Sequence, residues 1–193
     1  ITVTQGIDPL GRRITRTING STTKFVYDGW QLIAEISETG DVQASYLYGA
    51  QIDEILTARF AEGEQYYYLY DHLGSVRALI DASGTIQYTY DYDAFGNILA
   101  PDPWKGLNNY AFTGRWWDKE FELYNHRYRW YDPLVGRFTT RERYYIEKAL
   151  RTRPFTRDEA ELIREMSPPY VYVGNDPVNW IDPDGRRRIR GGH

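Results

Sequence analysis

The stretch YDHLGSVRALIDASGTIQYTYDYDAFG, residues 70–96, states one pattern twice: a Tyr-Asp pair with a Gly close behind it stands at each end, and a turn lies between. From Val76 the chain alternates, with Val76, Ala78 and Ile80 on one side and Arg77 and Leu79 on the other. DASG at 81–84 is turn material, and Ile86, Tyr88 and Tyr90 resume the alternation. Period-two patterning on both sides of a Gly turn predicts a β-hairpin. An earlier segment, WQLIAEISETGDVQASYLYG, has the same plan: Leu32, Ala34 and Ile36, the turn ETGD at 38–41, then Val42, Ala44, Tyr46 and Tyr48. Tyr27-Asp28-Gly29 precedes it as Tyr70-Asp71 with Gly74 precedes the second hairpin. A recurring hairpin of this kind is a repeated supersecondary unit.

The physical reading of the Tyr-Asp unit is architectural. The ring supplies buried area while its hydroxyl reaches a partner at an edge. The carboxylate accepts from backbone N–H groups two or three residues on, and the Gly lets the chain reverse. Repeated carboxylates beside Gly turns also suit calcium, but the sequence lacks the dense ladder of acidic ligands that such sites use. No metal or cofactor motif is present.

Composition agrees with a sheet. Among 193 residues there are 18 Tyr and 6 Trp, a profile that favours strands over helices and suits one domain with its own core. Cys is absent, which removes disulfides and thiolate metal sites. No run approaches the roughly 20 apolar residues of a membrane span. The net charge of -4 hides an asymmetry, because residues 1–100 are acidic in balance and 101–193 basic. Four arginines lie in the closing RRRIRGGH, a solvated tail or linker that comes with no nucleic-acid recognition motif. The start at Ile1 fits either a processed product or a piece of a longer chain.

After the break PDPWKG, the stretch NNYAFTGRWWDKEFELYNHRYRWYDPLVGRF resumes strand-like alternation. His126, among aromatics, reads as a packed or hydrogen-bonded sheet residue, and neither His72 nor His193 has a nominated catalytic partner. Residues 141–168 break the rhythm and predict an inserted helical hairpin. Its second helix has Thr156 as N-cap, Glu159 at the capping-box position and Pro168 as its stop. The expected organisation is β-hairpins over 1–100, a second region over 101–185 containing the insertion, and a basic tail over 186–193. The fold class is mainly β.

These strings, with PYVYVGNDPVNWIDPDG at 169–185, resemble the tyrosine-aspartate repeats and associated core domain of Rhs proteins, which also form part of the C subunits of insecticidal toxin complexes. The likeness covers about 24–140 and 169–185. It implies a curved β-strand spiral that closes into a hollow shell around a C-terminal toxic passenger, on a secreted or surface protein. It also implies association with further shell repeats or with copies of itself. Many members of the family sever the passenger by an aspartyl-protease-like self-cleavage at a P-x4-D-P-x-G-L motif.

Here Pro177, Asp182, Pro183 and Gly185 match that motif, and Arg186 stands at the Leu position. The family's second acidic residue falls on Glu142, after Arg141, in GRFTTRER. Hydrolysis by two carboxyls needs one ionised to activate water and one protonated. Arg141 would favour the charged form of such a pair. On this reading Asp182 and Glu142 are catalytic, Arg141 tunes them and the bond breaks near Arg186–Arg187. The alternative is that DPDG, 182–185, is only a β-turn. The eight residues after Gly185 hold no folded passenger, so either one follows or the chain is a remnant. A third reading, a glycan-binding module, needs Trp116, Trp117 and Trp130 to line one open groove.

Overall fold

The computed structural model describes residues 1–99, 108–141 and 170–191. These divide into two compact units, one holding 1–70, 76–89 and Asn108, the other 71–75, 90–99, 109–141 and 170–191. The insertion predicted over 141–168 lies, apart from Arg141, outside the described residues, as does Glu142.

The first unit is one antiparallel sheet of nine strands in chain order. They are β1 (Val3–Ile7), β2 (Arg13–Ile18), β3 (Ser21–Asp28), β4 (Gln31–Ser37), β5 (Val42–Tyr48), β6 (Ile55–Phe60), β7 (Gln65–Tyr70), β8 (Val76–Ile80) and β9 (Ile86–Thr89). Each strand pairs with its sequence neighbour, so every connection is local. The two hairpins expected from the alternation are present as β4–β5 and β8–β9. The sheet is open, with β1 and β9 at its edges.

One turn geometry recurs through both units. Asp8, Asp71, Asp81 and Asp93 each donate their N–H to the carbonyl four residues on, at 2.9–3.0 Å, and accept from the Gly three residues on, at 2.9–3.1 Å. The carboxylate completes the unit. Asp71 Oδ1 accepts from the N–H of Leu73 and of Ser75, both at 2.9 Å. Asp81 Oδ1 does the same for Ser83 (2.8 Å) and Thr85 (3.1 Å), and Asp93 Oδ1 for Phe95 (2.8 Å) and Asn97 (3.0 Å). These two N–H groups point into the loop and would otherwise go unpaired, so the acid at the first position satisfies both. The fourth position needs a positive φ, +83° at Gly84, which a side chain rarely tolerates. In ETGD the frame starts one residue earlier than the acidic pattern suggests. Ser37 takes the Asp place, and its Oγ accepts from Asp41 N at 3.0 Å.

Tyrosines at the ends of β3, β5 and β7 tie strands together. Tyr27 Oη donates to Arg13 O (3.0 Å), Tyr48 Oη to Leu32 O (3.1 Å) and Tyr70 Oη to Ile55 O (2.8 Å). In each case a ring at one strand's end reaches the start of the strand before it. Glu35, on β4, is hydrogen-bonded to Tyr46, and burial raises its carboxyl above the usual range.

The second unit is built on a four-stranded antiparallel sheet of β10 (Trp116–Asp118), β11 (Leu123–His126), β12 (Arg129–Asp132) and β13 (Arg137–Phe138). A two-stranded ribbon joins β14 (Trp180–Ile181) to β15 (Ile189–Arg190), so part of the basic tail is paired strand. The core is aromatic. Phe112, Tyr124, Tyr131, Phe138 and Tyr172 are all buried, and the Tyr131 and Tyr172 ring centroids lie 4.3 Å apart. Tyr124 Oη and Tyr131 Oη donate to Gly96 O (2.9 Å) and Phe95 O (2.7 Å), fixing the Asp93 turn over that core.

Replacing Asp71 by Ala removes two backbone acceptor contacts at once. Such losses cost about 1–2 kcal/mol. Asp71→Ala is therefore expected to lower the midpoint of chemical denaturation, while Asp71→Asn, which keeps the acceptor oxygen, loses less. Equal midpoints for wild type and Asp71→Ala would show that the carboxylate does not hold the turn.

Candidate functional site

The alternation of residues 123–130 does not run through as one strand. It breaks at Arg127, which takes φ +61°, and a tight turn reverses the chain between β11 and β12. His126 pairs with Arg129 across that turn, and Tyr124 with Tyr131. The reversal puts His126 and Arg129, which an unbroken strand would set on opposite faces, on the same buried face with Tyr124, Tyr131 and Phe138.

The DPDG turn that follows β14 rests against this face. Asp182 is buried at 4% exposure, and three groups hold its carboxylate. Oδ2 pairs with Arg129 Nη2 at 3.1 Å, and Oδ1 accepts from the N–H of Arg186 and of Arg187, both at 3.0 Å. The turn's carbonyls are held as well. His126 Nδ1 donates to Asp182 O (2.6 Å), Arg115 Nη1 to Pro183 O (2.6 Å), and Arg129 Nε to Gly185 O. Tyr128 N–H donates to Asp184 O at 3.2 Å. Gly185 has φ +74°, and a Cβ there would lie 2.8 Å from His126 O and 3.1 Å from Arg129 Cβ. Only Gly fits between the turn and the strand beneath it.

Two stacked cations complete the arrangement. The Arg129 guanidinium lies 3.4 Å from the Phe138 ring centroid, and that of Arg186 3.4 Å from the Tyr128 ring centroid. Such contacts orient a guanidinium as well as attract it.

The electrostatics follow from burial. Desolvation pushes the Asp182 carboxyl up to about 6, with Arg129 opposing and the nearby Asp184 adding to the rise. His126 is driven the other way, well below the ordinary imidazole value, by burial and by the Arg115 charge. It is therefore neutral at physiological pH, with its proton on Nδ1, the nitrogen that donates. Nε2 is buried without a hydrogen-bond partner among the described residues. His126 is the hydrogen-bonded sheet residue expected of it, with the added task of holding the Asp182 carbonyl.

Of the residues predicted from the sequence, Asp182, Pro183, Gly185 and Arg186 come together in this turn. Pro177 precedes β14 and is buried. Arg141 is exposed at the limit of the described residues and has no described contact with Asp182. Arg129, Arg115 and His126 were missed as partners of the turn. Their one sequence signal is the break in alternation at Arg127, which period-two reading does not detect. The three tryptophans do not form one platform. Trp116 and Trp130 both lie in register with Asn125, whereas Trp117 pairs with Tyr124 on the other face and packs on its ring at 4.6 Å. Trp116 is itself buried. The glycan-binding reading loses its groove.

The family model for the teneurin YD-shell matches residues 1–178. The chain belongs to this family: it is a YD-repeat, Rhs-type shell domain. It is 33% identical over 183 residues to the tRNA3(Ser)-specific nuclease WapA of Bacillus spizizenii, covering 92% of this chain and 7% of that protein. It is 25% identical to the double-stranded DNA deaminase toxin A of Burkholderia cenocepacia, covering 92% of this chain and 13% of that one. Among solved structures, the TcdB2-TccC3 crystal structure superposes with a TM-score of 0.64 at 18% identity, covering 95% of this chain and 9% of that one. The Photorhabdus luminescens Tc holotoxin pore gives a TM-score of 0.63 at 17% identity, with the same coverages. The chain thus spans a small fraction of each of these relatives.

A carboxyl whose folded value exceeds its unfolded one makes its full contribution to stability in acid, and that contribution is lost as pH rises. For Asp182 the contribution is complete below about pH 4 and falls away as pH rises through about 6. A carbon-detected NMR titration should find the Asp182 midpoint near 6. A midpoint at the ordinary aspartate value would show that burial is offset by the donors around it.

Proposed function

We propose that this chain is a wall segment of a larger Rhs-type shell that surrounds a C-terminal passenger in a secreted or surface-exposed protein. The observation that carries this reading is the nine-stranded sheet made by nearest-neighbour pairing with one repeated turn. A sheet of this kind grows by adding hairpins, and its edge strands β1 and β9 have no further partner strand among the described residues. Exposed Ile33, Leu47, Leu56, Leu69 and Ile86 give the sheet apolar surface suited to further repeats or to copies of the same chain. The relatives named as a tRNA-specific nuclease and as a DNA deaminase toxin support a toxic passenger. Among the described residues no helix is long and apolar enough to cross a membrane.

Encapsulation makes a direct prediction. In the native full-length gene product, any folded segment following His193 should resist proteinase K, and should be digested once the shell is opened by denaturant. Digestion of that segment at the same rate in native and opened protein would contradict enclosure.

A second reading is favoured by the burial of Asp182 beside the Arg186–Arg187 peptide: self-cleavage that frees the passenger from the wall. A buried carboxyl with a raised ionisation midpoint is the kind of group that supplies a proton in such a reaction. On this reading the gene product is cut after Arg186, and Asp182→Asn leaves it whole. Intact-mass measurement of the two proteins checks both statements. A wild type that stays uncut, or a cut that survives Asp182→Asn, would leave the wall role alone.

A further inference from the structure

The arginines of the closing RRRIRGGH string divide into two pairs. The N–H groups of Arg186 and Arg187 are taken up by the carboxylates of Asp182 and Asp184. Arg188 and Arg190 have no part in that turn. Arg190 pairs with Trp180 across the β14–β15 ribbon and so shares a face with it. Arg188, two residues earlier, lies over the same face. Its guanidinium is 5.1 Å from the Trp180 ring centroid, and its Nη1 donates to Val173 O at 3.3 Å. Gly174 leaves room for it, because a Cβ there would run into Arg188 Nη1. Both side chains are exposed, and among the described residues neither has an ion-pair partner.

The backbone beside these side chains is open as well. Gly191 N–H donates inward to Asn179 O at 2.7 Å. Inward and outward groups alternate along an antiparallel strand, so Ile189 also bonds toward β14, and the N–H and C=O of Arg188 and Arg190 point to the outer edge. Among the described residues no third strand covers that edge and no backbone group bonds to it. The ribbon is itself held in place against the Asp71 turn. His72 Nε2 donates to Val178 O at 3.2 Å, and Leu73 fills the space beside Gly191.

From this geometry we propose that β15 is a docking edge for an extended acidic segment of a partner protein, which joins the ribbon as a third strand. Main-chain hydrogen bonds to Arg188 and Arg190 give the attachment. The two guanidinium groups stand about 7 Å apart, the two-residue repeat of a strand. They therefore meet carboxylates at alternate positions of the incoming segment, in charge-assisted pairs. Charge also selects the partner. A second β15 would set arginine against arginine across the strands, which repels, so the edge does not pair with copies of itself. A nucleic-acid strand finds no platform here, because its bases stack on open aromatic faces. The rings at hand are already capped, Trp180 by Arg188 and Tyr128 by Arg186.

The test uses the full-length gene product and a short synthetic peptide that alternates Val and Glu. Binding is followed by calorimetry, and amide hydrogen exchange is read at Arg188 and Arg190. The peptide should bind, slow exchange at those two N–H groups and lose affinity as salt rises. A Val/Lys peptide of the same length should not bind. Reversing both charges, Arg188→Glu with Arg190→Glu, should weaken binding about tenfold or more. Arg188→Lys with Arg190→Lys keeps the charge but loses the planar fork, and should weaken it only a few-fold. If the glutamate variant melts lower, the lysine variant and exchange in the wild type decide in its place. No binding at millimolar peptide overturns the proposal. Binding that leaves exchange at Arg188 and Arg190 unchanged overturns it too, as does equal binding of oligothymidylate, which marks a general polyanion surface.

Discussion

A carboxylate that accepts from the backbone N–H groups of its own turn is the interaction on which the rest of this structure depends. A long meander of short strands has many reversals, and each one exposes donors that the sheet cannot use. An aspartate at the first position and a glycine at the fourth solve the problem with local atoms only, as at Asp71, Asp81 and Asp93. The solution involves no distant partner, so it can be repeated without limit. Tyrosines at the ends of β3, β5 and β7 then add the non-local part: each hydroxyl fastens the start of the preceding strand while the ring is half-buried. Turn and clamp together make a unit of wall.

The C-terminal DPDG segment uses the same residues for a different end. Asp182 again accepts from the N–H four residues on and Gly185 again takes a positive φ. This turn, however, is set into an aromatic face, and its carbonyls and its carboxylate are bound by Arg129, Arg115 and His126. At Asp81 hydrogen bonds from Ser83 and Thr85 hold the carboxyl low, at about 2, whereas burial raises that of Asp182 to about 6. Different surroundings and different donors give this aspartate a raised carboxyl where Asp81 has a lowered one.

How much of this was readable beforehand depends on range. The hairpins β4–β5 and β8–β9, the turn role of the Tyr-Asp unit and the family likeness rest on spacings of a few residues, and sequence carries those directly. The frame at Ser37 was misplaced by one residue because Ser substitutes for Asp there, and the acidic pattern pointed to its neighbours. The partners of Asp182 were out of reach for a different reason. Arg129 lies 53 residues away along the chain, and it reaches the turn only because Arg127 adopts a left-handed conformation that reverses the strand. Alternation assigned Arg129 and His126 to opposite faces, and one residue with positive φ put them on the same one.

The central claim is that the DPDG turn is held in the core by its own carboxylate and by Arg129, Arg115 and His126, and amide hydrogen exchange measures this most directly. If it holds, the N–H groups of Arg186 and Arg187 exchange at least as slowly as that of Ser75, in the Asp71 turn, and far more slowly than those of Ser83 and Thr85, in the exposed Asp81 turn. Exchange of Arg186 and Arg187 at the rates of an unstructured tail would contradict the account, because the carboxylates of Asp182 and Asp184 would then be holding nothing.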